Sequence, residues 1–334
     1  MGVRASAVTL IVVAAAGLGA PVALAQIRAA TAAEKPSFKP PRTSWGDPDL
    51  QGVWDYRTIT PVERRAEVGD REFYTDQEIA QLEGRAARRL DEAPDTSVQT
   101  NLVHADYLTD PGRHVDESRR TSLIVDPKNG KIPPLTPEAR ERQEKAAAAR
   151  AAAGAAPGGR VDSYRDRPLY ERCITRGLPA TILPTLYNNN IRISQSPGYV
   201  AIVHEMIHET RVVPLGGAFG HVRSYLGESR GHFEGDTLVV ETRNFNGRAG
   251  YRGSGENLVL TERYTRVAPD KIDFRLTFDD ATQWTQPWTV AYFMRANEGE
   301  LYEYACHEGN YGLRNILQEA RDAEQAAATA AAKH

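Results

Sequence analysis

The stretch Lys271-Ile272-Asp273-Phe274-Arg275-Leu276-Thr277-Phe278-Asp279 decides the fold. Ile272, Phe274, Leu276 and Phe278 alternate with Asp273, Arg275, Thr277 and Asp279. A period of two sends one set to each face of a β-strand, here apolar against polar. Such a strand belongs to a sheet with one face on a core and one in water. On either side lie further apolar, β-branched segments: Tyr199–Val203, Thr210–Leu215, Asp236–Thr242, Asn257–Val267, Trp288–Met294 and Glu300–Cys306. Turn signals such as Glu234-Gly235-Asp236 and Ala268-Pro269-Asp270 separate them. Many short strands joined by hairpin-length links predict an antiparallel sheet that closes or sandwiches.

The front of the chain reads differently. Gly46–Tyr56 is a turn running into a short strand. Thr75-Asp76-Gln77-Glu78 is a capping box, so a helix is expected from Asp76 to about Asp91. Ser122–Asp126 is a short apolar strand. Thr136-Pro137 opens a second helix that passes into the alanine-rich run 146–156. Leu313–Glu324 is a third, with Leu313, Ile316, Leu317 and Ala320 on one face.

Met1–Ala25 has one basic residue, a short apolar run and a small-residue cleavage pattern, which predicts an export signal. The expected organisation is therefore a signal peptide over 1–25, a disordered lead over 26–45 and N-terminal strands with helical decoration over 46–160. A β-barrel core with the C-terminal helix follows over 161–325, and a frayed tail over 326–334. The chain has 334 residues, a formal net charge of -3 and 25% charged residues, enough length for a real core. The balance lacks the positive excess of general nucleic-acid binders. No stretch after the signal is apolar for long enough to span a bilayer, so no stable membrane insertion is expected. An exported chain gives its two cysteines, Cys173 and Cys306, a disulfide as the favoured reading, with a catalytic thiol as the alternative.

Gly52-Val53-Trp54 resembles the G-x-W opening of lipocalin-like (calycin) barrels, and the meander from about 190 to 306 is similar to the rest of one. The whole chain also resembles a group of secreted bacterial proteins of unassigned function. The shared stretches are Glu-Met-Ile-His (205–208), Ser-Arg-Gly-His (229–232), Gly-Asp-Thr-Leu-Val-Val (235–240) and Tyr-Glu-Tyr-Ala-Cys-His-Glu (302–308). The calycin resemblance implies a barrel around one small-molecule cavity and carries over no set of catalytic residues. The expected fold class is mainly β: a lipocalin-like antiparallel barrel with an N-terminal helical insertion and a C-terminal helix.

His204-Glu205-Met206-Ile207-His208 matches H-E-x-x-H, which as a zinc site needs a helix. Its flanks are β-rich, so the expectation is a hairpin turn near Met206–Glu209 that brings polar groups to a barrel mouth. A barrel metal site built from His204, His208 and His232 is a minor alternative. His208 beside Glu205 suits acid/base work near neutral pH. Arg230 and His232, read as preceding a strand, form a second such pair, with Arg211 and Arg230 as anion clamps. If Cys306 pairs with Cys173, Arg172, His307 and Glu308 gather at one end of the barrel. Tyr187, Asn188, Asn190 and Tyr304 complete the candidate binding residues. The catalytic candidates are thus His208, His232, Glu205 and Glu308. P-loop, dinucleotide-binding and G-x-S-x-G patterns are absent from the sequence, and no cofactor is expected. The function expected is an exported enzyme using cofactor-independent acid/base chemistry on a small organic molecule. The alternative is a non-catalytic periplasmic binding protein for an apolar or phenolic ligand.

Overall fold

The computed structural model describes residues 38–91, 110–152 and 161–332. The expected signal peptide and the lead as far as residue 37 lie outside the described residues. Ten strands form one antiparallel sheet: β1 (Gly52–Asp55), β2 (Ile124–Asp126), β3 (Asn190–Ser196), β4 (Tyr199–His204), β5 (Thr210–Pro214), β6 (Glu228–Glu234), β7 (Thr237–Arg243), β8 (Val259–Ala268), β9 (Lys271–Asp279) and β10 (Trp288–Ala296). The strand order is β5-β4-β3-β1-β10-β9-β8-β7-β6, with β2 added alongside β10. The two edges meet where Gly216 N donates to Gly231 O at 2.7 Å, which nearly closes the barrel.

The alternation read in β9 holds. Ile272, Phe274, Leu276 and Phe278 are buried inside. Registry carries the same parity across the neighbours: Leu276 faces Glu262 on β8 and Val290 on β10. Leu260, Tyr264, Leu238, Val240, Ile202 and Trp54 join the same core. The Trp54 indole donates to Leu50 O at 2.9 Å, and the Arg266 guanidinium lies 5.5 Å above its ring.

Among the described residues, four helices decorate the barrel. α1 (Asp76–Asp91) starts at the expected capping box: Glu78 N donates to Thr75 Oγ1 at 3.2 Å and Thr75 N to Glu78 Oε2 at 2.9 Å. α2 spans Pro137–Ala152, α3 Leu178–Ile182 and α4 Tyr311–Ala331. α4 runs seven residues past the expected Glu324, because its tail is mostly alanine, the strongest helix former.

Glu300–Cys306 forms no strand. β10 already has β1, β9 and β2 beside it, and the free edges β5 and β6 close on each other, so the segment finds no edge to pair with. It runs instead as an arm outside the sheet, tied down by the Cys173–Cys306 disulfide across a sequence separation of 133.

Candidate functional site

A polar girdle crosses the largely apolar inner wall. It begins at β4 with His204 and continues through Arg211 on β5, Ser229 on β6, Thr242 on β7 and Glu262 on β8, all buried. The side-chain parity of each strand puts them inside, since each lies at even spacing from an interior apolar residue. Arg211 and Glu262 form a two-pronged ion pair, Nη1–Oε1 2.7 Å and Nη2–Oε2 2.8 Å. Tyr264 OH donates to Glu262 Oε2 at 2.6 Å. Ser229 Oγ lies 2.8 Å from Thr242 Oγ1 and 3.4 Å from the Arg211 guanidinium. An aromatic ladder closes the far side: Tyr264 to Phe274 at 4.8 Å, Phe274 to Tyr292 at 4.9 Å and Tyr292 to Tyr56 at 5.9 Å between ring centres.

α3 caps this girdle. Tyr56 OH donates to Thr181 O at 2.7 Å and Tyr292 OH to Ile182 O. Glu209 accepts from Thr175 Oγ1, from Arg176 N at 2.8 Å and from Thr181 Oγ1 at 3.3 Å, holding the cap's entry to the β4–β5 turn. Gly177 has φ +84°, and a side chain there would run into Ala249 O.

His204 is fully buried, and neither ring nitrogen has a hydrogen-bond partner. Arg211 Nε and Trp288 Nε1 are buried and unpartnered as well. Burial lowers the His204 pKa well below its ordinary value, the Arg211 charge lowers it further, and a polar contact with the Thr181 backbone, outside normal hydrogen-bond geometry, raises it. The imidazole is therefore neutral, with one donor and one acceptor to offer. Burial pushes the phenols of Tyr56, Tyr264 and Tyr292 up, so they remain protonated donors.

A second polar group sits on the outside, near the β4–β5 turn. Met206–His208 is one 3-10 turn, with Ile207 and His208 at positive φ, so the expected hairpin turn is present. His208 points at the arm: with the proton on Nε2, it donates to Tyr302 O at 3.0 Å, and Nδ1 accepts from Tyr304 N at 3.1 Å. Glu205 accepts from Asn190 N at 3.2 Å and Nδ2 at 2.9 Å, and Asn190 in turn accepts from Asn297 Nδ2 at 2.9 Å. Tyr304 and Tyr187 both approach Tyr170, hydroxyl to hydroxyl. Asn188 takes a positive φ in the turn before β3.

The remaining candidates are dispersed. Arg230 and His232 lie ahead of β7 as expected but are themselves within a strand, β6, and both face outward because Ser229 and Gly231 take the inward positions. Arg230 pairs with Glu228, and His232 Nε2 lies 3.1 Å from Glu234 Oε1 on the outer wall. Arg172 stacks 5.4 Å from Tyr164, while His307 and Glu308 are exposed on the turn after the disulfide. His204 faces the interior and His232 the exterior, so the three histidines of the metal alternative do not converge. Among the described residues, no group of three or more His, Cys, Asp or Glu side chains could hold a metal ion. Nor is any described helix long and apolar enough to cross a membrane.

Glu262, Tyr264 and Ser229 are girdle residues that the strand reading passed over. The signal was available. Folding Asn257–Val267 onto Lys271–Asp279 about the Ala268-Pro269-Asp270 turn sets Glu262 opposite Leu276, on the buried face.

Comparison with protein-family models and with curated proteins found no match for this chain.

Proposed function

We propose that the barrel is a receptacle for a small organic molecule with an apolar or phenolic body, held against the girdle beneath α3. One observation carries this reading: His204 is enclosed with both ring nitrogens unsatisfied. A buried polar atom without a partner costs about 1–3 kcal/mol, so native proteins keep such groups for a reason. A ligand hydroxyl or carbonyl set between His204 and Arg211 Nε would satisfy both. The ladder Tyr56–Tyr292–Phe274–Tyr264 makes the wall beside the girdle aromatic, which suits a phenolic body. Arg211 keeps its charge balanced by Glu262 and so acts as a fixed wall, not as a mobile anion clamp.

Acid/base turnover of the bound molecule is the second reading, favoured by the free acceptor nitrogen of His204. Burial keeps that imidazole a weak base, and proton transfer works best with a pKa near the working pH. Binding is therefore the primary role. The Cys173–Cys306 bridge and the Met1–Ala25 pattern support an exported protein, since disulfides persist in oxidising compartments.

A thermal-shift screen of apolar and phenolic compounds tests this. Compounds that bind only the folded state raise its midpoint. Hits for the parent chain should lose their effect in His204→Leu. A screen with no hits, or with hits indifferent to His204→Leu, contradicts the reading.

A further inference from the structure

Three segments meet outside the barrel, beyond the α3 cap. Arg176 and Tyr170 come from the stretch before α3, Tyr187 from the turn before β3, and Tyr304 from the C-terminal arm. Tyr170 OH contacts Tyr187 OH and lies 3.4 Å from Tyr304 OH. The Arg176 guanidinium lies 5.3 Å above the Tyr170 ring and acts electrostatically on all three phenols. All four side chains are partly exposed, so a solute can reach them.

Arg176 is short of partners. Its only side-chain hydrogen bond among the described residues is a 3.5 Å contact to Met206 Sδ, and no described carboxylate forms an ion pair with it. A guanidinium has five N–H donors. The phenols also have one proton to spare: three hydroxyls carry three, and their two mutual contacts use two. Partial burial raises the pKa of each, Tyr187 to about 12, so all three remain protonated donors at neutral pH. What the cluster lacks, among the described residues, is a negative charge opposite Arg176.

The geometry points to an oxyanion-binding site at Arg176, Tyr170, Tyr187 and Tyr304, which takes a carboxylate or phosphoryl group from solution. The guanidinium supplies charge and paired donors, and the one phenol proton left over supplies a further donor beside it. The cluster is preorganised. Glu209 holds the Arg176 backbone at 2.8 Å, His208 holds the Tyr304 backbone at 3.1 Å, and the Cys173–Cys306 bridge joins the segments carrying Arg176 and Tyr304. The site is separate from the interior girdle and does not rest on the receptacle reading.

The test is calorimetric titration of the full disulfide-bonded chain with sodium benzoate and with sodium phosphate, at constant ionic strength set by chloride. At least one should bind, and the probe that binds tells carboxylate from phosphoryl. Arg176→Gln should weaken that binding about tenfold or more, the scale of losing one charge-assisted pair. Tyr187→Phe with Tyr304→Phe removes two oxygens and no bulk, so it should weaken binding several-fold in a chain that still folds. His204→Leu should leave the affinity unchanged. Binding of neither probe, or affinity that survives Arg176→Gln or the double tyrosine change, overturns the assignment.

Discussion

Arg211 on β5 and Glu262 on β8 grip each other inside the barrel, through two contacts of 2.7 and 2.8 Å, both side chains fully enclosed. Two strands, β6 and β7, lie between them on the closing side of the sheet. The pair therefore bridges the seam where the barrel is held least by backbone hydrogen bonds.

Breaking this pair should cost more than the pair is worth. Arg211→Met leaves Glu262 buried without a counter-charge, and such losses run to about 3–5 kcal/mol. Arg211→Met with Glu262→Leu removes both charges and should recover most of the stability. Urea unfolding of the two variants checks this. A single variant within about 1 kcal/mol of the parent would contradict the ion pair's role in the seam.

His204 makes stability depend on pH. Its folded pKa lies well below the ordinary value of 6.5, so the unfolded chain binds one more proton once the pH falls under that value. Stability should therefore fall with decreasing pH, by about 1.4 kcal/mol between pH 7.5 and 5.5. Glu209 and Asp116, raised by burial, act in the opposite sense at lower pH. The difference between the parent and His204→Leu isolates the histidine: the variant's urea midpoint should be flatter across this window.

The sheet was legible because its strands keep the period of two. Ile272, Phe274, Leu276 and Phe278 fix the inner face of β9, and the hairpin turns carry that face to β8 and β10. The disulfide was legible from the presence of only two cysteines in a chain with an export pattern. The girdle was not. His204 reads as one end of a familiar metal motif, and Glu262 as an ordinary polar residue in Leu260–Arg266. Only registry with β9 turns it inward. His208 looked like an acid/base residue, yet its ring clasps the arm's backbone at Tyr302 and Tyr304, a contact set by φ values near +50° at Ile207 and His208. The arm itself has strand-like alternation at Tyr302, Tyr304 and Cys306 but meets no free edge.

The disulfide and His208 should act together on that arm. Cys173→Ser with Cys306→Ser should lower global stability by up to about 5 kcal/mol, as expected for a long closed loop. It should also make residues 300–310 sensitive to limited proteolysis while the barrel remains folded, because Glu300–Cys306 forms no strand. His208→Ala in the doubly substituted chain should speed cleavage further. Equal cleavage in the parent and in both variants would contradict the clasp.

The most direct measurement is the ring-nitrogen NMR of His204 during titration with a compound that raises the protein's melting midpoint. An interior ligand between His204 and Arg211 must shift both His204 ring 15N resonances and leave those of the outward-facing His232 unmoved. A compound that binds while the His204 resonances stay fixed would contradict the receptacle.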